Sequence, residues 1–452
     1  MDLNDLGIHR KDPRFKNGKN TNNSFTSKVE CGLLKIQNWQ EIKEIVQEVF
    51  DRVSEDNSGN VADYIPQLAK KDNMEFSVTI ISVDGQVFEL GEPSQRFCIQ
   101  SCSKPITYGI ALNKCGDKVV HNFVGKEPSG RNFNELCLNE DGLPHNPLIN
   151  SGAIMTTSLI YPNLELHQRF DKVMDFWRDL TYKNVSFDNS VYLSEKETAD
   201  RNYCLGYMMQ ESGSFQKGKN PVISQEISRN WTKTSLNDNL ELYFQFCSLE
   251  TNLLGAGLIA GTLANGGVHP WTNKELFKPD TIKYILSIMS SCGMYDYSGE
   301  WNYEIGIPAK SGVSGLIYAV IPGVCGIATY SPRLDKIGNS YRGVQFFKEL
   351  GKKVNIHTFL NDENLVSFSR IENNNKKILG FLLLQGSHDN NIDLVRECLS
   401  KGCDINFQDY DSRTALHIAY EEENLEIIQF LNQQGARADI PDRWGNKVEN
   451  DE

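Results

Sequence analysis

Apolar residues recur along the chain in two different rhythms. Between Asn38 and Val53 the positions Trp39, Ile42, Ile45, Val46, Val49 and Val53 are spaced to share one face of a helix. From Glu75 the rhythm changes. Phe76–Val83 is rich in β-branched side chains, Asp84-Gly85 interrupts it, and Gln86–Leu90 resumes the apolar run. Asp-Gly between two such runs predicts a hairpin. Ser101–Leu112 reads as a helix, as do the stretches around Phe170–Leu180 and Leu240–Leu263. Near the end of this region Ser311–Gly323 and Val324–Pro332 read as two further apolar strands, turning at Pro322-Gly323. Strands at both ends with helices between predict an α+β domain, whose sheet is built from the two ends and carries an inserted helical lobe.

The tail from about Ser367 has a different period. Thr414–Ala419 reads TALHIA, the ankyrin signature with Ala in place of Pro. Gly402 and Gly435, and Asp409 and Asp442, recur at a spacing of about 33 residues; the runs Leu394–Gly402 and Ile427–Gly435 align at the same period. His417 belongs to the signature and is expected to hydrogen-bond a turn. The expected organisation is a leader and helix over 1–60, a main domain over 61–365 and short ankyrin repeats over 366–452. Lys16–Lys28, rich in Asn, Lys, Ser and Thr, suits a mobile linker.

Composition narrows the function. The formal net charge of −13 disfavours nucleic acid and anionic membrane as partners. The 11 cysteines include no C-x-x-C pair and no histidines at zinc-ligand spacing, so they read as small buried hydrophobes in a reducing compartment. No run approaches the roughly 18 apolar residues of a membrane helix. The N-terminus, MDLNDLGIHRKDPRF, has no apolar signal region and is not Arg-rich. The expected location is the cytoplasm, or the mitochondrion if a presequence is missing.

The candidate chemistry begins with FCIQSCSKP. Ser101 and Lys104 stand at i and i+3 at a helix start, where they share a face. A serine hydroxyl is a weak nucleophile and needs a base, and a buried lysine can be one once its pKa falls. A second S-x-x-K at Ser214 and Lys217 lies in a polar run and reads as a solvated loop. Downstream, Lys310–Gly312 spells KSG where an apolar strand is expected to open. The order S-x-x-K then K-[ST]-G is that of β-lactamases and penicillin-binding proteins. Between them lie polar positions in apolar surroundings: Asn150, Glu195, Asn202, Tyr243 and Tyr295.

The runs ADYIPQLA, FCIQSCSKP, VGKEPSG, FNELCLNEDGLPHNPLINSGAI, ANGG, SCGMYD and PAKSGVSG together resemble the glutaminase family, and most closely its animal kidney-type members, from about Val61 to Phe359. The resemblance implies a β-lactamase-like fold with C-terminal ankyrin repeats. It implies hydrolysis of free glutamine with Ser101 as nucleophile, Lys104 as base and Tyr295 as proton relay. Gln100, Asn150, Glu195, Asn202 and Tyr243 would hold the amino-acid head, and Tyr64 would close over it. The backbone N–H groups of Val313 and Ser101 would form the oxyanion hole. It implies no metal and no organic cofactor, inorganic phosphate as an activator, a homo-oligomeric assembly (dimer or tetramer) and a protein partner for the ankyrin tail. The loop Gly130–Gly142 keeps Phe133. It departs from the animal pattern with Arg131 and Asn132 in place of Leu-Arg, and Glu135 in place of Lys. Regulation through that loop is therefore an open expectation.

Overall fold

The computed structural model describes residues 36, 38–132, 134–220, 235–360, 362, 364–368, 376–400 and 402–448. The predicted mobile linker lies outside them. The strands, in chain order, are β1 (Asn60–Val61), β2 (Ser77–Ser82), β3 (Val87–Leu90), β4 (Phe97–Cys98), β5 (Val185–Phe187), β6 (Leu249–Thr251), β7 (Ala309–Ser311), β8 (Leu316–Ile321), β9 (Cys325–Tyr330) and β10 (Arg333–Leu334). The principal helices of the larger unit are α1 (Trp39–Ser54), α2 (Lys104–Cys115), α3 (Asn150–Ser158), α4 (Leu166–Leu180), α5 (Asn189–Glu197), α6 (Asp200–Glu211), α7 (Leu236–Cys247), α8 (Leu253–Ala264), α9 (Pro279–Cys292) and α10 (Tyr341–Gly351).

The main sheet has the order β3-β2-β9-β8-β7 and is antiparallel throughout. Its strands come from both ends of the domain, as the sequence pattern predicts. Asp84-Gly85 turns β2 into β3 and Pro322-Gly323 turns β8 into β9. Both faces are covered, so β2, β8 and β9 are buried along their whole length. On one face α8 lies against β2, β8 and β9. The approach is close enough to require glycine: a Cβ on Gly326 would fall 2.2 Å from the backbone carbon of Ala260. On the other face α1 packs against α10, and Phe76 stacks on Phe50 and meets the edge of Phe346. α1 thus belongs to the same compact unit as the sheet.

The helical lobe shares one continuous core with the α8 face of the sheet. Phe123, Met155, Trp177, Leu205 and Phe244 join Tyr318, Ala328 and Tyr330 in it. Two sequence expectations need correction here. Leu240–Leu263 is two helices, α7 and α8, because Leu249–Thr251 extends into β6 and pairs with both β4 and β5. The KSG motif does not open the long strand. Lys310 and Ser311 close β7, and the chain turns through Gly312–Gly315 before β8 begins.

The second compact unit contains α11 (Lys376–His388), α12 (Ile392–Ser400), α13 (Ala415–Glu421) and α14 (Leu425–Gln433). The 33-residue period is visible in its turns. Asp409 Oδ1 accepts from the N–H groups of Asp411 and Arg413, and Asp442 Oδ1 accepts from those of Trp444 and Asn446. Gly402 and Gly435 take matching positive φ values of 80° and 87°. His417 Nδ1 accepts from the Thr414 N–H at 3.1 Å, the turn hydrogen bond expected of the signature.

Candidate active site

β4 runs directly into a 3-10 turn, Gln100–Ser103, and that turn feeds α2. The sequence expectation of a helix from Ser101 is thus met by two helical segments, with Lys104 the first residue of the second. Gln100 is forced to φ +51°, a left-handed conformation that a residue with a side chain occupies only at some cost. The main sheet grips the turn from below. Tyr318 donates its hydroxyl to the Cys102 carbonyl at 3.1 Å, and the Cys102 thiol lies 3.5 Å from the carbonyl oxygens of Lys310 and Leu316. Ser101 is thereby held at the junction of sheet and helical lobe, 9% exposed.

Lys104 is buried, at 1% exposure. Burial, reinforced by the positive charge of Lys310, lowers its pKa to about 7. Its Nζ donates to Asn150 Oδ1 at 2.6 Å, and Asn150 Nδ2 donates to Asn202 Oδ1 at 2.9 Å. Asn150 is the first residue of α3 and Asn202 sits in the first turn of α6, so two helix starts converge on the lysine.

Tyr295 also takes a left-handed φ, +55°, in a short turn after α9. Burial raises its phenol well above the ordinary value, and the neighbouring Ser101 side chain opposes the shift. The Lys310 ammonium lies 4.6 Å from the centre of the Tyr295 ring.

A carboxylate completes the cluster. Glu195 Oε1 accepts from the Tyr64 hydroxyl at 2.7 Å and from Gln100 Nε2 at 2.8 Å. Burial raises the pKa of Glu195, and these two donors oppose the rise. Tyr64 is 45% exposed, yet its hydroxyl points inward to Glu195, so the ring edge faces solvent while the polar tip does not. Tyr243 is buried on α7 beside Cys247 and feels the charge of Glu195; burial above all drives its hydroxyl pKa up. Val313 lies in the β7–β8 turn and packs against the small cluster of Ile65, Leu68, Cys98 and Val191. Its N–H makes no backbone hydrogen bond among the described residues.

The remaining motifs resolve differently. The second S-x-x-K is not a solvated loop: Ser214–Lys217 is a helical turn, and buried Ser214 donates to the Gly142 carbonyl at 2.6 Å. Burial there follows from packing against a loop distant in sequence, which local polarity does not reveal. Cys102, next to the serine, is buried, and burial pushes its thiol up to about 12, the opposite of an activated nucleophile. Within Gly130–Gly142, Arg131 and Glu135 pair at 2.7 Å, while Phe133 lies outside the described residues. Lys310 is the site residue whose charge sequence reasoning left unassigned. The KSG triplet was the available signal, but the packing of its ammonium on Tyr295 is a tertiary relationship.

Among the described residues no helix is long and apolar enough to cross a membrane, and no group of three or more His, Cys, Asp or Glu side chains is arranged to hold a metal.

Comparison with known proteins agrees with this geometry. The glutaminase family model matches residues 59–359, and an ankyrin-repeat model matches 383–431. The chain is 39% identical over 421 residues to the mouse glutaminase liver isoform, mitochondrial, covering 91% of this chain and 67% of that protein. It is 40% identical to putative glutaminase 2 of Caenorhabditis elegans, covering 91% of this chain and 66% of that one. It therefore spans about two thirds of the length of these animal relatives. A glutaminase of Trichormus variabilis is 41% identical over 316 residues, 70% of this chain and 89% of its own. Among solved structures, the probable glutaminase YbaS superposes with a TM-score of 0.64 at 33% identity, covering 72% of this chain and 99% of that one. A probable glutaminase from Bacillus subtilis, complexed with 6-diazo-5-oxo-L-norleucine, gives 0.58 at 28% identity, covering 71% of this chain and 96% of that one. The fold is accordingly the β-lactamase-like one, and with the family model spanning the whole site described above, the chain belongs to the glutaminase family, extended by ankyrin repeats.

Proposed function

We propose that the chain hydrolyses L-glutamine to L-glutamate and ammonia through a γ-glutamyl ester on Ser101. The observation that carries the reading is the buried lysine Lys104, its pKa lowered to about 7, one helical turn from Ser101, together with a half-buried carboxylate, Glu195, held by Tyr64 and Gln100. Glu195 takes the substrate α-ammonium. Asn150, Asn202 and Tyr243 supply donors toward the α-carboxylate, while Gln100 and Tyr64 frame the head group. Lys104 accepts the Ser101 proton as Oγ attacks the amide carbon. The resulting oxyanion meets the N–H groups of Ser101 and Val313. Tyr295 relays the proton from Lys104 to the leaving nitrogen, so that ammonia departs and Lys104 is neutral again. Water then attacks the ester with Lys104 again as base, releasing glutamate and restoring the serine.

The same reading extends to organisation. The catalytic domain spans about 61–365, with the leader before it and the repeats after it. The protein works as a homo-oligomer without metal or organic cofactor. The repeats take a protein partner, and inorganic phosphate acts as an activator whose effect the altered Gly130–Gly142 loop modifies. The compartment is the cytoplasm or the mitochondrion. The deciding experiment measures ammonia and glutamate release from glutamine, with asparagine as control. Shortening the substrate by one methylene draws the amide away from Ser101, and a misplacement of about 1 Å costs roughly a hundredfold. Equal kcat/KM for the two amides, or none with glutamine, would sink the reading.

A further inference from the structure

Tyr64 reaches Glu195 from a segment whose two ends are fastened together by two arginines. Arg333, in β10, donates Nη1 to the carbonyls of Asn57 at 2.7 Å and Gly59 at 3.0 Å, and Nε to the carbonyl of Asn73 at 3.0 Å. Arg342, buried at the start of α10, donates Nε to the Asp56 carbonyl at 2.6 Å, Nη2 to Asn57 Oδ1 at 2.9 Å and Nη1 to the Met74 carbonyl at 3.0 Å. Each guanidinium therefore holds the chain before Tyr64 and the chain after it at once. That takes a planar fork with several donors; a lysine ammonium is a point charge that serves one end or the other.

The segment between these anchors leans on the site. Val61 pairs with Arg333 in the β1–β10 ladder, just before Tyr64. Ile65 and Leu68 are buried beside Cys98 and Val191, and Val313 packs against the same cluster. Gln67 Nε2 donates to the Ser190 carbonyl at 3.2 Å, in the helix α5 that carries Glu195. The exposed Tyr64 ring has little packing of its own, so the phenol stands where its segment puts it, 2.7 Å from Glu195 Oε1.

We propose that Arg333 and Arg342 are positioning residues for recognition of the substrate head group. By closing the two ends of the segment they fix where Tyr64 meets Glu195, and so set the affinity of that subsite without touching the reacting atoms. The inference rests on the reading of Glu195 and Tyr64 as part of the head-group subsite.

Arg333 is half-buried and is the residue to change. The test compares Arg333→Met and Arg333→Lys in the full chain, each alone and combined with Tyr64→Phe. The readout is kcat and KM for glutamine beside thermal unfolding. Arg333→Met should raise KM roughly tenfold and leave kcat within about twofold, the signature of lost binding and not of lost chemistry. Arg333→Lys keeps the charge but holds one end only, so it should not restore the wild-type KM. In the Tyr64→Phe background the same arginine changes should raise KM by less than about twofold, because the hydroxyl whose place they set is gone. An unchanged KM in Arg333→Met would overturn the inference, as would an equal fold-change in both backgrounds or full rescue by lysine. Failure of both arginine variants to fold would leave Arg333 a role in the fold alone and overturn it too. Absence of glutamine turnover in the unaltered chain would instead sink the reading of the site, so the two failures are distinguishable.

Discussion

Lys104 Nζ donates to Asn150 Oδ1 at 2.6 Å, and the same asparagine passes a hydrogen bond on to Asn202. One side chain thus belongs both to the environment of the base and to the cradle proposed for the substrate carboxylate. Orientation of the base and recognition of the substrate are coupled through it. Asn150→Ala should therefore lower kcat and raise KM together. Asn150→Asp should do something different: a carboxylate beside Lys104 favours the ammonium and lifts its pKa. The acid limb of kcat/KM should move to higher pH in Asn150→Asp and stay near its wild-type position in Asn150→Ala. Identical profiles for the two variants would remove Asn150 from control of the base.

The lysine must be neutral to accept the serine proton. With its pKa lowered to about 7, it is protonated below that pH and free above it. The expected profile rises with pH through about 7 and falls by about tenfold per unit on the acid side. A limb centred near the ordinary lysine value of about 10.4 would show that the base is not buried as described.

Ser101→Ala removes one nearly buried hydroxyl without opening a cavity of consequence. Turnover should vanish, while thermal unfolding stays close to that of the wild type. Measurable hydrolysis in this variant at a wild-type rate contradicts the acyl-enzyme.

Glu195→Gln keeps the shape and loses the charge. Hydrogen bonds to charged groups contribute about 1.5–3 kcal/mol, so KM for glutamine should rise roughly tenfold to a hundredfold. The Tyr64 hydroxyl and Gln100 Nε2, which both donate to Glu195 Oε1, should keep a neutral acceptor in the amide oxygen, so the loss falls on the substrate ammonium. Unchanged steady-state kinetics would reduce Glu195 to a partner of Tyr64 and nothing more.

Truncation after Asn364 removes the whole ankyrin unit and none of the residues proposed for catalysis. Glutamine turnover should persist, with the loss appearing in unfolding temperature or in mass by light scattering. Ankyrin units stack through neighbours, and about three are usually needed to stand alone. A soluble, folded truncation that binds glutamine without hydrolysing it would make the tail part of the catalytic apparatus.

Local signals were legible wherever the physics is local. Asp84-Gly85 turns β2 into β3 because its conformational preference matches a tight hairpin. Trp39, Ile42, Val46, Val49 and Val53 line the buried face of α1 at helical spacing. The thirty-three-residue echo of Asp409 in Asp442 survives because each carboxylate organises its own turn. What escaped was decided at a distance. Leu249–Thr251 breaks a continuous apolar run only because β4 and β5 wait on either side of it. Ser214 looks solvated until Gly142 is brought to its hydroxyl. Lys310 could be flagged as part of a motif, but its ammonium lies on Tyr295, fifteen positions earlier in the chain, and spacing alone does not place it there.

The left-handed backbone at Gln100 and Tyr295 puts two unfavourable conformations on residues that flank the same hydroxyl. Each costs on the order of 1–3 kcal/mol and persists because the surrounding packing leaves no alternative. Heat-resistance engineering meets a trap at these two positions. Glycine or asparagine would relax the main chain there while removing the side chain that reaches Glu195 or Ser101. A selection that scores only survival on heating should therefore collect changes at Gln100 and Tyr295 early, and the proteins it returns should be durable and inert.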